Sequence, residues 1–309
     1  MIAWSYQQSP LLEWVPIMVQ QILPVVLPTF FMVLIGFLWS RSGQDYPTVF
    51  VGKIVTFVGV PFLVFSTLAM ADISSQHLEA MLLASVLLHV GGGIIGAIIF
   101  WSLNMPIRTY LCPFVIGNGG NLGLSVCLFA YGGEGLAYGI SFFVVQSMMF
   151  FTIGNAIYTG QNSLRSVVSL PLPYAGVAGI TVVLLGIELP QAIANSVSLA
   201  GSFVIPMMLM TLGVSLARMR PSDIMPALGF AILRLVVFLT LAHLICDFLE
   251  IDGVMRGVLL LQASMPVAVF NFVFATTYNR SPERVAGIVF VSSVMMILGL
   301  PLMVAYVGV

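Results

Sequence analysis

Long apolar runs dominate the hydropathy pattern of the chain. They are continuous and lack the apolar–polar alternation of barrel strands, so each predicts a helix that spans a membrane. About 20 residues at about 1.5 Å each cross a hydrocarbon core of about 30 Å. The predicted spans are residues 22–40, 48–69, 80–101, 107–131, 134–158, 172–188, 196–217, 225–247, 254–277 and 284–307. This pattern predicts an all-α polytopic membrane protein with about ten transmembrane helices.

The composition excludes a soluble domain. Of the 309 residues, 60% are hydrophobic and 7% are charged, whereas soluble domains are roughly 25% charged. The net charge of −1 gives no support for nucleic-acid binding. Cys112, Cys127 and Cys246 have neither metal-site nor disulfide spacing, and we expect them to be small core residues.

Charged residues alternate between successive loops. The odd loops contain Arg41, Arg108, Arg165, Arg218, Arg220, Arg280 and Arg284. The even loops contain Asp72, Glu79, Glu134, Glu188, Asp247, Glu250 and Asp252, with Arg256 as a basic exception. Because Lys and Arg are retained on the cytoplasmic side, the odd loops are predicted to be cytoplasmic and both termini extracytoplasmic.

Two halves of the chain resemble each other. The run Val60–Leu63 in span two is similar to Ile205–Met208 in span seven, and the ends of spans four and nine are also similar, at separations of 145 to 149 residues. Five spans per copy is an odd number, so the second copy must be inverted. We therefore predict an N-terminal interfacial segment at 1–21, a first five-helix repeat at 22–158, a cytoplasmic connector at 159–171 and a second repeat at 172–309.

Spans four and nine contain helix-breaking sequences at corresponding places. Residues 117–123 hold four glycines and two asparagines, and residues 264–271 hold Pro266. Both segments predict broken helices, and unwound backbone at membrane depth must line a cavity or be buried in protein. The exposed N-termini of the half-helices favour an anion. The candidate binding residues are Asn118, Gly119, Gly120, Asn121, Pro266 and Asn271. The competing interpretations are tight packing for the glycines and a purely structural role for Asn271.

Ionisable residues inside the spans are further candidates. Arg234 is predicted either to neutralise a carboxylate substrate or to pair with carbonyl groups, and His89 either to relay protons or to be a structural histidine. No Asp or Glu lies deep in a predicted span, which disfavours a carboxylate-based ion site. The coupling ion, Na⁺ or H⁺, is left open, and no cofactor is predicted.

Enzyme motifs are absent from the sequence. The chain has no phosphate-binding loop for ATP, no His-Glu-x-x-His and no nucleophile elbow. The sequence therefore predicts a secondary transporter rather than an enzyme.

The broken segments resemble the signatures of the auxin efflux carrier family, whose bacterial members are organic-anion permeases. The similarity covers Gly117–Leu124 in span four, Met265–Tyr278 in span nine and the stretch from Ile205 to Ala217. Ser125 stands where the family commonly has proline, and Phe270 stands where it often has the span-nine asparagine.

The resemblance implies a fold like that of the bile-acid–sodium symporters. Helices 1, 2, 6 and 7 would form a scaffold that makes a homodimer, and helices 3–5 and 8–10 a mobile transport domain with crossed helices 4 and 9. The resemblance also implies a multi-pass protein of the bacterial inner membrane that moves small organic anions by an elevator mechanism. The alternatives are a sodium-coupled symporter of amphipathic acids and a receptor or channel without coupled transport.

Overall fold

The computed structural model of the protein describes residues 10–70, 75–160, 171–219 and 223–308. Within these ranges the chain folds into helices without any β-strand, and one isolated bridge joins Gly117 to Val267. The helices are α1 (Pro10–Arg41), α2 (Thr48–Ala69), α3 (Ser75–Ser102), α4 (Ile107–Val115), α5 (Gly119–Thr159), α6 (Leu172–Leu184), α7 (Gln191–Arg218), α8 (Ile224–Phe248), α9 (Gly253–Ser264), α10 (Val269–Thr277) and α11 (Pro282–Val307).

Helix α5 is a hairpin of two arms. Gly132 has φ 64° and ψ −148°, a left-handed conformation that favours glycine. Beyond it the second arm, 133–159, packs back along the first, 119–131, so that Gly139 lies beside Leu124 and Gly119 lies beside Gln146. The reversal separates the predicted fourth and fifth spans.

Seven helices of the described part are long and apolar enough to cross a membrane. They are Ile22–Arg41 of α1, Gln76–Ser102 of α3, and the helices α2, α5, α7, α8 and α11. The prediction of an all-helical polytopic membrane protein is therefore confirmed. The shorter helices α4, α6, α9 and α10 follow one another in the predicted order. The count of ten spans and the inverted repeat stay predictions.

The structure describes only part of the predicted N-terminal segment and connector. Helix α1 begins at Pro10 and continues to Arg41, so the second half of the predicted interfacial segment is helical. Residues 1–9, most of the connector 159–171, and the charged residues Asp72, Arg165 and Arg220 lie outside the described residues.

Arg256, the basic exception in the even loops, lies among acidic side chains. Its Nη1 is 2.9 Å from Asp247 Oδ1 and 4.0 Å from Asp252 Oδ1. These carboxylates neutralise the guanidinium locally, which accounts for one arginine on an otherwise acidic side.

Helices α1 and α7 pack against each other through glycines. A Cβ on Gly213 would strike the carbonyl of Val33 and the amide of Phe37, and a Cβ on Gly36 would strike the carbonyl of Met210. Small residues allow this backbone contact, as is common between membrane helices. Helix α2 packs between α6 and the first half of α7.

We expect Gly213→Ala to destabilise the protein by about 3 kcal/mol, because the obstructing atoms are backbone and cannot rotate away. Gly229→Ala in α8 is the matched control, since nothing lies within 4 Å of its added Cβ, and it should be neutral or slightly stabilising. Thermal unfolding in detergent measures both. Equal melting temperatures for the two variants would contradict the close α1–α7 contact.

Candidate functional site

The two helix interruptions lie against each other. Helix α4 ends at Val115 and α5 begins at Gly119, while α9 ends at Ser264 and α10 begins at Val269. The amide of Asn118 donates to the Pro266 carbonyl at 2.6 Å, and the amide of Ala268 donates to the Ile116 carbonyl at 3.2 Å. The two unwound segments, 116–118 and 265–268, are called the crossing below. These bonds satisfy backbone groups that water cannot reach.

A cavity of about 120 Å³ opens beside the crossing, between α2, the second arm of α5, α6 and α7. Its lining is mainly apolar and includes no acidic or basic side chain among the described residues. The lining residues are Gly52, Val55, Thr56, Val60, Ile116, Gly117, Asn118, Gly120, Asn121, Phe143, Gln146, Ser147, Phe150, Phe151, Leu172, Met208, Thr211, Ala268 and Phe270. One water needs about 10–15 Å³, so this volume admits a small ligand.

Three π-helical turns border this cavity. They span Val55–Gly59 in α2 and Gly119–Gly123 and Phe150–Gly154 in α5. Each ends in a glycine, and each contributes two lining residues. Because π turns in helices occur frequently at functional sites, their grouping around one cavity makes it the candidate functional site.

The crossing presents hydrogen-bond donors that have no acceptor. The Nδ2 of Asn118 is buried and unpaired. The first amides of α5, those of Gly119, Gly120 and Asn121, make no backbone hydrogen bond in the described part of the chain. A helix leaves these N–H groups free at its N-terminus. Asn118, Gly120 and Asn121 all line the cavity, so its polar end presents unpaired donors.

Two buried glutamines hold the crossing, and the sequence analysis missed both. Gln146 Nε2 donates to the Gly117 carbonyl, and Gln262 Nε2 lies 3.5 Å from the Gly119 carbonyl. The Oε1 atoms of both side chains are unpaired and lie near Gly119. A glutamine inside an apolar span was the available signal, because a buried amide in a membrane must find partners.

Asn271 and Pro266 lie outside the cavity lining. The Asn271 side chain is fully buried and donates to the carbonyls of Ile116 (3.2 Å) and Ala268 (3.1 Å). Its Oδ1 accepts from the Tyr158 hydroxyl at 3.3 Å. Phe270, its neighbour, lines the cavity instead. In this structure Asn271 therefore fixes the backbone of the crossing.

Arg234 of α8 lies behind the crossing. Its guanidinium donates through Nη1 to the Met265 carbonyl, and Nη2 occupies the space beside the Cα of Gly117. The Phe238 ring covers it at 4.8 Å, a cation–π contact. Arg234 forms no ion pair with any described residue. A buried positive charge without a carboxylate partner therefore lies against the wall of the cavity, although Arg234 does not line it.

His89 is separate from this cavity. Its Nδ1 donates to the Ser85 carbonyl at 2.7 Å, and its ring packs on Phe142 with centroids 4.9 Å apart. It lines a second cavity, on the other side of α4. The structure thus brings together Asn118, Gly120 and Asn121 and leaves His89 apart.

Tyr46, in the first loop, connects that loop to the cavity wall. Its hydroxyl is 2.7 Å from Thr211 Oγ1, and its carbonyl accepts from Arg218 Nη2 at 3.2 Å. Burial raises the pKa of the Tyr46 hydroxyl, and the Thr211 hydrogen bond and the Arg218 charge lower it by less. The phenol is therefore neutral at physiological pH.

We expect Tyr46→Phe to lower the stability by about 1 kcal/mol through the lost hydrogen bond. Because the folded-state pKa is raised, wild type should lose further stability as the pH rises above about 10, where an unfolded tyrosine ionises. The phenylalanine variant lacks this contribution, so the two melting curves should converge at alkaline pH. A constant difference across the pH range would contradict the burial of Tyr46.

Comparison with known proteins shows similarity to membrane transporters. A profile of the family described as "Membrane transport protein" matches residues 158–304. This match supports the resemblance to the auxin efflux carrier family. An uncharacterized transporter of Methanocaldococcus jannaschii is 27% identical over 294 residues, which is 89% of this chain and 95% of the relative. An uncharacterized transporter of Methanothermobacter thermautotrophicus is 28% identical over 295 residues, or 90% and 95%.

The match to a family of membrane transport proteins makes the chain a membrane transporter and not an enzyme. The resemblance inferred from the span-four and span-nine sequences is therefore confirmed. Ser125 stands where the family commonly has proline, and its hydroxyl donates to the Asn121 carbonyl at 2.9 Å. This bond satisfies an acceptor in the first turn of α5.

Proposed function

We propose that this carrier is a secondary transporter of small organic anions, most directly carboxylates, which bind in the cavity beside the crossing. One observation carries the proposal: the polar end of the cavity offers several donors without acceptors, and no acidic side chain lines it. A carboxylate has about four acceptor sites on two oxygens. It would satisfy Asn118 Nδ2 and the free amides of α5 together, at the positive end of a helix.

The charge of Arg234 supports an anion over a neutral ligand. Taking a guanidinium out of water costs several kcal/mol, and neither a carbonyl bond nor a cation–π contact neutralises its charge. An anion in the cavity would supply the missing negative charge through the thin wall at Gly117. The charge of Arg234 would then be neutralised only when the substrate is bound.

The distribution of groups around the cavity supports an elevator mechanism. The anion-binding atoms belong to Asn118 of the crossing and to the first turn of α5, in the proposed transport domain. In contrast, α2, α6 and α7 of the proposed scaffold contribute mainly apolar side chains such as Val55, Leu172 and Met208. A polar site bound to one domain can slide along an apolar wall without breaking hydrogen bonds to it. Helices α3 and α9 pack with α5, α8 packs with α3 and α9, and α1 packs along α7, in keeping with that division.

The cavity extends toward the odd loops. Gly52, Phe151, Leu172 and Thr211 lie near the ends of their helices on that side. With the odd loops cytoplasmic, as the charge pattern predicts, this conformation is inward-facing. Two inverted five-helix repeats would place the site near the midplane, where such folds bind substrate. We further propose a homodimer of scaffolds in the bacterial inner membrane.

A sodium-coupled symporter is the second candidate, and it has one observation in its favour. The Oε1 atoms of Gln146 and Gln262 are buried, unpaired and close to the same glycine, and neutral oxygens are ligands for hard cations. The nearby charge of Arg234 opposes a cation there. We therefore propose Na⁺ coupling as the alternative. The same transport assay also tests H⁺ coupling.

Transport in proteoliposomes tests the proposal. Vesicles preloaded with one carboxylate should take up labelled mono- or dicarboxylates by exchange. The double variant Asn118→Ala/Asn121→Ala should lose about 2–3 kcal/mol of transition-state binding, or about a hundredfold in kcat/KM. Asn195→Ala is the matched control, because that asparagine is exposed on α7 and bonds to Gln191.

Four results would separate the alternatives. Unchanged exchange by the double variant would remove the site from the crossing. Uptake that disappears when choline replaces sodium would establish the sodium-coupled candidate. Flux that is not stimulated by substrate on the opposite side would indicate a channel rather than a carrier, and uptake of neutral solutes alone would refute the anion.

A further inference from the structure

A second cavity opens between α3, α4 and the second arm of α5. Its volume is about 290 Å³, and we call it the lateral cavity. The side chains around it are apolar apart from His89 and Cys112, and they include Ala97, Val115 and Ile157. Ile116 lines both this cavity and the one beside the crossing. The two cavities are therefore neighbours on opposite sides of the α4 end.

The rim of the lateral cavity faces the bilayer. Val90 and Ile94 of α3 and Ile153 of α5 are 42%, 57% and 57% exposed. On a helix that spans a membrane, exposed apolar side chains of this kind meet lipid chains. An occupant must therefore arrive from the hydrocarbon phase, and it must be mainly apolar.

Among the described residues that line this cavity, His89 supplies the one strong polar side-chain acceptor. Because the Ser85 carbonyl can only accept, Nδ1 carries the proton and Nε2 carries the lone pair. No described residue donates to Nε2, and the side chain is only 3% exposed. A buried acceptor needs a donor, and the lateral cavity is where a ligand could bring one.

The shape of the cavity restricts the ligand further. His89 and Ala97 both line it, and eight residues of helix separate them, a distance of about 12 Å. The acceptor is at the end near the crossing, and the remainder of the length is apolar. A phospholipid does not fit, because moving its polar headgroup from the interface to this depth would be costly.

We propose that the lateral cavity binds an alkyl-chain molecule with a single O–H donor, dissolved in the membrane. The O–H donates to His89 Nε2, and the chain lies along Val90, Ile94 and Ala97. A fatty alcohol and a protonated fatty acid share this chemistry. The site goes beyond the transported anion, because its access is from lipid and its ligand enters uncharged.

Photolabelling of the full chain in lipid nanodiscs tests the site. The probe is 1-decanol with a diazirine on its chain, and the matched control probe is the decane analogue without the hydroxyl. We expect the alcohol to label peptides of α3 and of the second arm of α5, and unlabelled 1-decanol to compete. Decanoic acid should compete more strongly at about pH 5 than at about pH 8, because a larger fraction of its carboxyl is protonated at the lower pH.

Two substitutions, each with a matched control, locate the ligand. Ala97→Phe fills the lateral cavity and should abolish labelling, whereas Ile98→Phe, on the adjacent position that does not line it, should leave labelling unchanged. His89→Phe should weaken competition by 1-decanol about five- to tenfold, the worth of one hydrogen bond. His89→Gln retains an acceptor and should restore much of it.

The proposal is overturned by any of three results. The decane probe could label as strongly as the alcohol, which would leave His89 without a role. Labelling could persist in Ala97→Phe, which would place it elsewhere on the lipid-facing surface. Competition could be unchanged in His89→Phe while melting shows a folded protein. None of these outcomes affects anion exchange, which tests the other cavity.

Discussion

Replacement of Arg234 by methionine is expected to leave the protein as stable as wild type and to lower the transport of carboxylates by about thirtyfold. At an effective dielectric constant of about 20 and a separation on the order of 8 Å, two unit charges interact by about 2 kcal/mol, which is about thirtyfold. Stability should survive because an apolar side chain of similar length relieves the cost of burying an unpaired charge. That gain offsets the lost bond to the Met265 carbonyl.

Exchange kinetics and thermal melting of the same preparation measure the two effects. Arg234→Lys is the matched control, since it keeps the positive charge and loses the planar fork, and it should retain more transport than the methionine variant. A methionine variant that transports carboxylates normally would show that the Arg234 charge does not act on the substrate. Loss of both stability and transport would instead assign Arg234 a structural role.

Asn271→Leu is expected to show the opposite behaviour, with a loss of about 2–4 kcal/mol in stability. The substitution keeps the volume but removes two bonds to carbonyls and one from Tyr158, and it leaves buried polar atoms unpaired. The effect arises because the side chain holds α10 to the end of α4. Thermal unfolding should show the loss even without substrate.

Tyr158→Phe provides the graded comparison for that prediction. It removes one partner of Asn271 and should cost about 1 kcal/mol. If the leucine variant melted like wild type while its affinity for carboxylates fell, Asn271 would belong to the binding site and not to the framework of the crossing.

The position of the crossing could be predicted from the sequence because helix breakers act locally. Glycine-rich residues 117–123 and the proline at 266 disrupt their helices wherever these pack, and the structure has its interruptions at 116–118 and 265–268. The burial of these segments could also be predicted, since unwound backbone at membrane depth must be buried in protein or line a cavity.

The direction of the side chains could not be predicted, because it depends on helix rotation. Asn121 and Asn271 occupy similar places in the two predicted repeats, yet Asn121 lines the cavity and Asn271 binds backbone carbonyls. The contacts of Arg234 could not be predicted without knowing which helix lies behind Gly117. Gln146 and Gln262 were not predicted because they lie in apolar runs outside the helix-breaking segments.

Ligand-dependent thermal stability tests the central claim most directly, namely that the crossing binds an organic anion. A ligand that binds the folded state at a hundred times its Kd stabilises it by about 2.7 kcal/mol. Purified protein should therefore melt at a higher temperature with at least one member of a panel of mono- and dicarboxylates. The uncharged methyl ester of that compound should have no effect, and neither should the acid on Asn118→Ala/Asn121→Ala. Equal stabilisation by acid and ester, or an undiminished shift in the double variant, would contradict an anion site at the crossing.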